Sequence, residues 1–325
     1  MINSVGTFAS IWLALWLALS ALFVLVYPLL RTTLLNLHPR HGSTLLLAYW
    51  VLPFAAALLS TVILFMPPAE TLLVQAHCHA DCASHAPLID SAALAGFGIA
   101  LGTLVLLVLL WRFVTTLRRS RQLHAQFDVL GRRRGAWYEM DSDCPLVFTL
   151  GWWRPRIYLS SGLREACTAQ DLDIILHHER AHQERRDNLR LLVARLCCAI
   201  LPGPLSRRVL ADLQVVTEQA CDFRAAERCG PLAVAETLLK IKRLLLSCPA
   251  LLPQDALAFA ERDVETRIKA LLLASSRVTL QRWQLILLLV LGSALLIAMI
   301  GPLHHGSEWV ISTLGDHAGL PPHTP

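Results

Sequence analysis

The stretch FASIWLALWLALSALFVLVYPLL, residues 8–30, contains no charged side chain. A transmembrane helix needs about 20 mostly apolar residues, so this stretch predicts a membrane span. A signal peptide is the alternative, but no basic residue precedes the apolar run and Arg31 follows it, which is the reverse of a secretory signal. Similar apolar runs predict three more spans, at about 44–66, 91–111 and 282–302.

The composition of the whole chain agrees with a membrane protein. Of its 325 residues, 55% are hydrophobic and only 16% are charged, and the mean hydropathy is +0.51. Soluble proteins are just under half apolar, and disordered chains combine low hydrophobicity with high net charge. The composition therefore excludes a purely soluble enzyme and a disordered chain.

The positions of the basic residues predict the orientation of the spans. All 29 Lys and Arg residues fall within 31–40 or 112–282. Because cytoplasmic loops carry an excess of Lys and Arg, we expect 31–40 and 115–281 in the cytoplasm, and 67–90 and both termini outside. The arginines are spread over several segments rather than gathered in one stripe, so no direct binding of nucleic acid is expected. The predicted organisation is a three-helix membrane region (1–114), a cytoplasmic domain (115–281), a fourth transmembrane helix (282–302) and a short external tail (303–325).

Residues 115–281 are numerous enough for one globular domain. Short β-prone runs within 137–140 and 145–159 predict a small hairpin or sheet at its start. From Thr168, which forms an N-cap signature with Asp171, apolar residues recur at helical spacing until Pro202. The fold class is therefore a mainly α membrane protein with four transmembrane helices and an α+β domain inserted between helices 3 and 4. Further helical patterns in that domain run through about 205–229, 231–248 and 255–273.

The first long helix of this domain carries HERAH, residues 178–182, an H-E-x-x-H pattern. His178 and His182 project from one helix face and can share a metal ion, while Glu179 can reach the attacking water as a general base. Zn²⁺ suits this donor set. The alternative is a polar helix face with solvated histidines. His177 points elsewhere on the helix and is not expected to be a ligand.

A catalytic zinc needs a third protein ligand and an open position for water. Glu218 is the best downstream candidate, and Asp222, one turn later, could hydrogen-bond the outer nitrogen of a histidine ligand. Asp212 and Glu227 are weaker candidates for the third ligand. Alternatively, Glu218 and Asp222 form a solvated helix face in which Asp222 pairs with a nearby arginine.

The stretch DIILHHERAHQERRDNL, residues 173–189, resembles the zinc-binding helix of the BlaR/MecR-type membrane metallopeptidases. Residues 148–163, 218–222 and 266–271 resemble further segments of that family. The resemblance implies a cytoplasmic zincin domain of the gluzincin type in the bacterial inner (cytoplasmic) membrane. It also implies Zn²⁺ as cofactor, a protein substrate such as a winged-helix transcriptional repressor, and contact with membrane lipid. The implied roles are zinc binding by His178, His182 and Glu218, base catalysis by Glu179, and orientation of a ligand by Asp222.

Two departures from the family pattern limit what this resemblance implies. Position 180 is Arg, where the family usually has an apolar residue. Antibiotic-sensing members continue into a large extracellular penicillin-binding domain, whereas 303–325 is short, so β-lactam sensing is not expected. An HtpX-like quality-control protease is the second interpretation. A non-catalytic membrane receptor that docks a cytoplasmic partner is the third, and the intact Glu179 argues against it.

The predicted external loop contains a dense set of soft donors, namely His77, Cys78, His79, Asp81, Cys82 and His85. They predict either a Cys78–Cys82 disulfide or a metal or redox sensor. The cysteines of the cytoplasmic domain are expected to be reduced and to serve in packing.

Overall fold

Helices make up most of the computed structural model, which describes residues 2–66, 92–201, 203–248, 264–273 and 281–298. The N-terminal region forms three long helices, α1 (Ile2–Asn36), α2 (Pro39–Leu64) and α3 (Ala92–Leu130). All three are long and apolar enough to cross a membrane. The structure thus supports a mainly α membrane protein.

Helix α3 is longer than the span predicted within it. The predicted span ends at about residue 111, whereas α3 continues to Leu130. Residues 112–130 are more polar than the predicted span, but they contain no Gly or Pro that would interrupt a helix. The apolar part of α3 therefore leads without a break into the basic segment at the start of the predicted domain.

The described residues fall into two units. The first contains those within 1–27, 48–108 and 281–325, and aromatic side chains pack its helices together. Trp12 stacks on Trp16, and both meet the ring of Phe54 edge-on. A Cβ atom at Gly98 would collide with the Ser10 hydroxyl, so the glycine allows α3 to approach α1 closely.

The second unit contains the described residues within 28–47 and 109–280. Its four strands, in the order β1-β2-β4-β3, are β1 (Gly131–Arg134), β2 (Trp137–Met140), β3 (Val147–Leu150) and β4 (Arg156–Ser160). Strands β3 and β4 form the predicted hairpin, with Phe148 opposite Tyr158, and β2 runs parallel to β4. Strand β1 is absent from the prediction because its sequence, GRRR, has no β-prone residue.

Helices complete this unit. Helix α5 begins as predicted, because the Thr168 hydroxyl accepts from the Asp171 amide and the Asp171 carboxylate accepts from the Thr168 amide. The prediction of a continuous helix as far as Pro202 is wrong. Arg186 adopts the left-handed conformation, with φ 53° and ψ 47°, and ends α5. The helices are α4 (Ser161–Ala166), α5 (Ala169–Arg185), α6 (Asp187–Cys197), α7 (Gly203–Cys229), α8 (Pro231–Leu246) and α9 (264–272).

Buried apolar residues fix the position of α5 on two sides. Ile174 packs with Val234 and Leu271 in a cluster shared with α7, α8 and α9. Its neighbour Ile175 packs with Leu159 in a second cluster, beside the sheet. Burying each such side chain contributes about 1.5–3 kcal/mol, so α5 is held firmly between the sheet and α7.

Cys144 and Cys248 form a disulfide, which contradicts the expectation that the cysteines of this domain are all reduced. The bond is possible because the loop after β2 and the end of α8 lie side by side, with a Cα–Cα distance of 6.1 Å. It links residues 104 positions apart in the sequence.

The C-terminal helix, α10 (Arg282–Ala298), covers most of the predicted fourth span. Its apolar part, Ile286–Leu295, is shorter than the other three candidate spans, so the four-span topology stays a prediction. The tail 303–325 and the predicted external loop cluster fall outside the described residues. Their external location, and the disulfide or sensor role of the cluster, stay predictions. That cluster comprises His77, Cys78, His79, Asp81, Cys82 and His85.

Candidate metal centre

Three potential ligand atoms converge where α5 meets α7. The Nε2 atoms of His178 and His182, one helical turn apart, are separated by 3.1 Å. The carboxylate of Glu218 on α7 lies 3.3 Å from His178 Nε2 and 3.4 Å from His182 Nε2. Tetrahedral zinc with bonds of about 2.0–2.1 Å places its N and O ligands about 3.3–3.4 Å apart. The three side chains therefore match the spacing that one zinc ion requires.

A buried carboxylate holds the outer nitrogen of each imidazole. His178 Nδ1 lies 2.9 Å from Asp222 Oδ1, and His182 Nδ1 lies 2.9 Å from Asp187 Oδ2. Asp222 is fully buried and Asp187 is 3% exposed. When the Nδ1–H groups donate to these carboxylates, both Nε2 atoms keep a lone pair for a metal.

Arg267 on α9 joins the two acidic residues of α7. Its guanidinium donates two hydrogen bonds of 2.7 Å to Asp222 and lies 3.3 Å from Glu218. The side chain of Arg267 is 12% exposed, so this pairing takes place largely away from solvent. Arg267 thus holds a ligand candidate and an orienting carboxylate on one side of the site.

Glu179 lies beside the three ligand candidates and is itself held in place. Its Oε2 atom accepts a 2.6 Å hydrogen bond from the Thr149 hydroxyl on β3. Asn188 donates to the Thr149 and Gly151 carbonyls, which fixes β3 against α5 and α6. Glu179 is 6% exposed, and such a carboxylate can accept a proton from a water molecule in the adjacent cavity.

The pKa values in the site indicate a coupled set of ion pairs. Burial alone would lower the pKa of both histidines, yet Asp222 and Glu218 raise the pKa of His178, and Glu218 and Asp187 raise that of His182 well above its ordinary value. Burial alone would raise the pKa of Glu218, but the charges of His182 and Arg267 hold it well below its ordinary value. A bound cation would supply the positive charge that the protonated imidazoles otherwise supply, and it would balance the same carboxylates.

A cavity of about 220 Å³ adjoins these groups. His178, Glu179 and Glu218 line it on one side, and residues 145–147, which lead into β3, line another. Apolar side chains of α8 complete the wall. A polar reaction centre against an apolar wall is typical of a pocket that receives a substrate.

The structure brings together five of the residues that the sequence singled out: His178, Glu179, His182, Glu218 and Asp222. The weaker ligand candidates lie elsewhere, because Asp212 pairs with Arg31 and Glu227 pairs with Arg224. His177 makes no contact with this set among the described contacts and lies 3.3 Å from Asp173 instead. The loop cluster around Cys78 is outside the described residues.

Sequence reasoning missed four side chains that shape the site. Asp187 contacts His182 only because the turn at Arg186 redirects the chain, and Thr149 and Arg267 come from distant segments. The fourth, Cys221, lies 3.3 Å from His182 Nδ1, and burial raises the pKa of its thiol to about 12. The one available signal was that Asp187 and Arg267 both fall in segments resembling the metallopeptidase family.

A family model described as BlaR1 peptidase M56 matches residues 7–271, which is most of the chain. No curated protein and no solved structure gives a significant match. The match extends from α1 to α9 and includes every residue of the candidate metal centre.

Proposed function

The chain belongs to the BlaR1 peptidase M56 family, and from that premise we propose that it is an integral-membrane zinc endopeptidase that cleaves a cytoplasmic protein. The observation that carries the proposal is the set of His178, His182 and Glu218 atoms within 3.1–3.4 Å of one another, beside the carboxylate of Glu179. A solvated helix face would not bury the outer nitrogens of both histidines against carboxylates.

The residues present suit the chemistry of peptide hydrolysis. Zinc, when bound, polarises the substrate carbonyl and makes water a stronger nucleophile. Glu179 accepts the proton of the attacking water and passes it to the leaving amine. Thr149 keeps the Glu179 carboxylate aimed at the cavity. Asp222 and Asp187 keep the imidazoles in the tautomer that leaves Nε2 free to coordinate.

Strand β3 offers a place for an extended substrate. It lies at the edge of the sheet, and its first residue, Val147, lines the cavity beside Glu179. The Thr149 carbonyl points away from β4 and accepts from Asn188. Val147, two residues earlier, presents its backbone in the same direction, because alternate residues of a strand face the same way. We propose that the substrate backbone pairs there as an added strand.

The contacts of Arg31, near the end of α1, support a common location for residues 31–40 and the peptidase domain. Arg31 makes two hydrogen bonds, of 2.6 and 2.7 Å, with Asp212 on α7. Both segments carry the positive charge that is typical of the cytoplasmic side. A cytoplasmic site agrees with a cytoplasmic substrate, and we propose a transcriptional repressor of the winged-helix type.

The experiment separates the metal ligands from the base. His178→Ala, His182→Ala or Glu218→Ala should each lower bound zinc, because each removes a ligand. Glu179→Gln should keep zinc and lose proteolysis, because the amide cannot accept the proton. Glu184→Gln is the matched control, since Glu184 is exposed on the same helix and should keep both properties.

Substrates are identified by comparing cellular N-terminal peptides between wild type and Glu179→Gln. Peptides that disappear in the variant mark cleavage sites, and a cut within a small DNA-binding protein would support the signalling role. Cuts spread over damaged membrane proteins would replace that role with quality control. Full proteolysis by Glu179→Gln would overturn the catalytic assignment.

A further inference from the structure

A second group of metal-binding side chains lies on α5, outside the catalytic set. Asp173 and His177 are one turn apart on α5, and Cys229 is the last residue of α7. His177 Nδ1 lies 3.3 Å from Asp173 Oδ1, and Cys229 Sγ lies 3.7 Å from Asp173 Oδ2. One ligand atom from each of the three side chains falls within 4.8 Å of the others.

Two of these separations are close to those of a tetrahedral site. With zinc bonds of about 2.1 Å to N and O and about 2.3 Å to S, the N–O distance is about 3.4 Å and the S–O distance about 3.6 Å. The contacts that Asp173 makes with His177 and Cys229, through its two carboxylate oxygens, are therefore near tetrahedral spacing. His177 Nδ1 now donates a 2.8 Å hydrogen bond to the Asp173 carbonyl, and a metal at Nδ1 would replace it.

The donor set also selects the kind of metal. A thiolate and an imidazole favour Zn²⁺ over Mg²⁺ or Ca²⁺, which prefer oxygen ligands throughout. Asp173 is 60% exposed at its side chain while that of His177 is 15% exposed, so solvent can reach one side of the group. That side provides the fourth position, which water can fill.

We propose that Asp173, His177 and Cys229 form a second zinc site, which joins the end of α7 to the middle of α5. The two helices are those that carry the catalytic ligands, so this ion braces the scaffold of the catalytic site without touching substrate. Because the ion binds only the folded arrangement, the stability of the protein should rise with the concentration of free zinc.

The test measures metal binding in the full-length protein in detergent, with Zn²⁺ and Co²⁺ as probes. The wild type should bind two equivalents of zinc, and Cys229→Ser or His177→Gln should bind one. Co²⁺ in the wild type should give a thiolate-to-cobalt charge-transfer band, which Cys229→Ser abolishes. Asp173→Asn, which keeps the shape of the side chain, should weaken the second equivalent roughly tenfold or more.

Cys197→Ser is the matched control, since Cys197 is a free, half-buried cysteine that belongs to neither group of potential ligands. It should keep the charge-transfer band and both equivalents. A band that persists in Cys229→Ser, or that disappears in Cys197→Ser, would overturn the site, as would a single equivalent in the wild type that depends on His182. The proposed peptidase function is judged separately, because Glu179→Gln should lose proteolysis and still bind two equivalents.

Discussion

Replacing Asp222 with Asn tests whether the buried carboxylate orients His178. Asp222 lies between the His178 imidazole, at 2.9 Å, and the Arg267 guanidinium, with two contacts of 2.7 Å. The amide of Asn has nearly the same shape as the carboxylate but carries no charge. Asp222→Asn therefore removes the charge of the orienting group and leaves the packing of α7 almost unchanged.

The expected loss has two parts. Removing the partner of a metal-binding histidine typically costs about 10–100-fold in metal affinity, which is about 1.4–2.7 kcal/mol. Breaking a buried ion pair by removing one partner typically costs about 3–5 kcal/mol of folding stability. Because Arg267 keeps Glu218 at 3.3 Å, we expect the lower end of that range, about 3 kcal/mol.

Asp212→Asn is the matched control because it makes the same substitution in the same helix. Asp212 pairs with Arg31 through two hydrogen bonds and belongs to no metal-binding group among the described residues. It should lower the thermal stability and leave zinc affinity, measured by competition with a chelator, unchanged. Wild-type affinity in Asp222→Asn would refute the orienting role. Equal losses of affinity in both variants would show that the effect is only general destabilisation.

The pH dependence of stability gives a second readout of the same substitution. Burial alone would raise the pKa of Asp222, but Arg267 and His178 hold it below the ordinary value of 3.8. A lowered pKa adds stability that is present above the unfolded value and is lost as pH falls through the folded value. The stability difference between wild type and Asp222→Asn should therefore be full at neutral pH and shrink below about pH 4. A difference that grows in acid would contradict this assignment.

Three further predictions concern the base, the disulfide and the orientation. Thr149→Val removes the hydroxyl that donates to Glu179, so kcat should fall by roughly 10–100-fold while the amount of bound zinc stays constant. A loss of zinc would show that Thr149 acts on the proposed metal ligands instead. Reduction of the Cys144–Cys248 bond, which encloses a long loop, should lower the free energy of unfolding by about 2–4 kcal/mol. Cys144→Ser should lower it equally and should make thermal unfolding insensitive to reductant. Continued sensitivity in that variant would point to another disulfide. A reporter that is active only outside the cytoplasm should fail when fused after Gly131 and work after Pro68, and activity at Gly131 would overturn the cytoplasmic placement.

The parts of the site that depend on helical periodicity could be predicted from the sequence. The spacing of His178 and His182 puts both on one face of α5, and the Thr168 cap sets where that helix begins. Glu218 was predicted as the third ligand because such a ligand had to lie on a later helix, and the structure places its carboxylate 3.3–3.4 Å from both histidines. No periodic rule places Arg267 beside Asp222, since that contact joins segments 45 positions apart.

The break at Arg186 shows where local patterns stop being informative. Helical spacing continues through this position in the sequence, yet the residue takes a left-handed conformation. The turn allows Asp187 to reach back to His182, and Arg185 and Arg190 also surround that carboxylate. The contacts that this buried aspartate gains at the turn thus outweigh the local preference for a longer helix.

The two histidines are anchored in the same way, although their anchors come from different parts of the chain. His178 is held by Asp222, which Arg267 of α9 holds in turn. His182 is held by Asp187, which lies 3.2 Å from Arg185, and that arginine donates to Ser43 in the first turns of α2.

Each imidazole is therefore connected, through one carboxylate and one guanidinium, to another helix. His178 is connected to α9, which precedes the apolar α10 in the sequence, and His182 is connected to the start of the apolar α2. Hydrogen bonds of this kind fix orientation as well as distance. A shift of about 1 Å in a positioning group can change a catalytic rate about 100-fold. The geometry of the proposed metal ligands consequently depends on how α9 and the start of α2 are placed, and not on α5 and α7 alone.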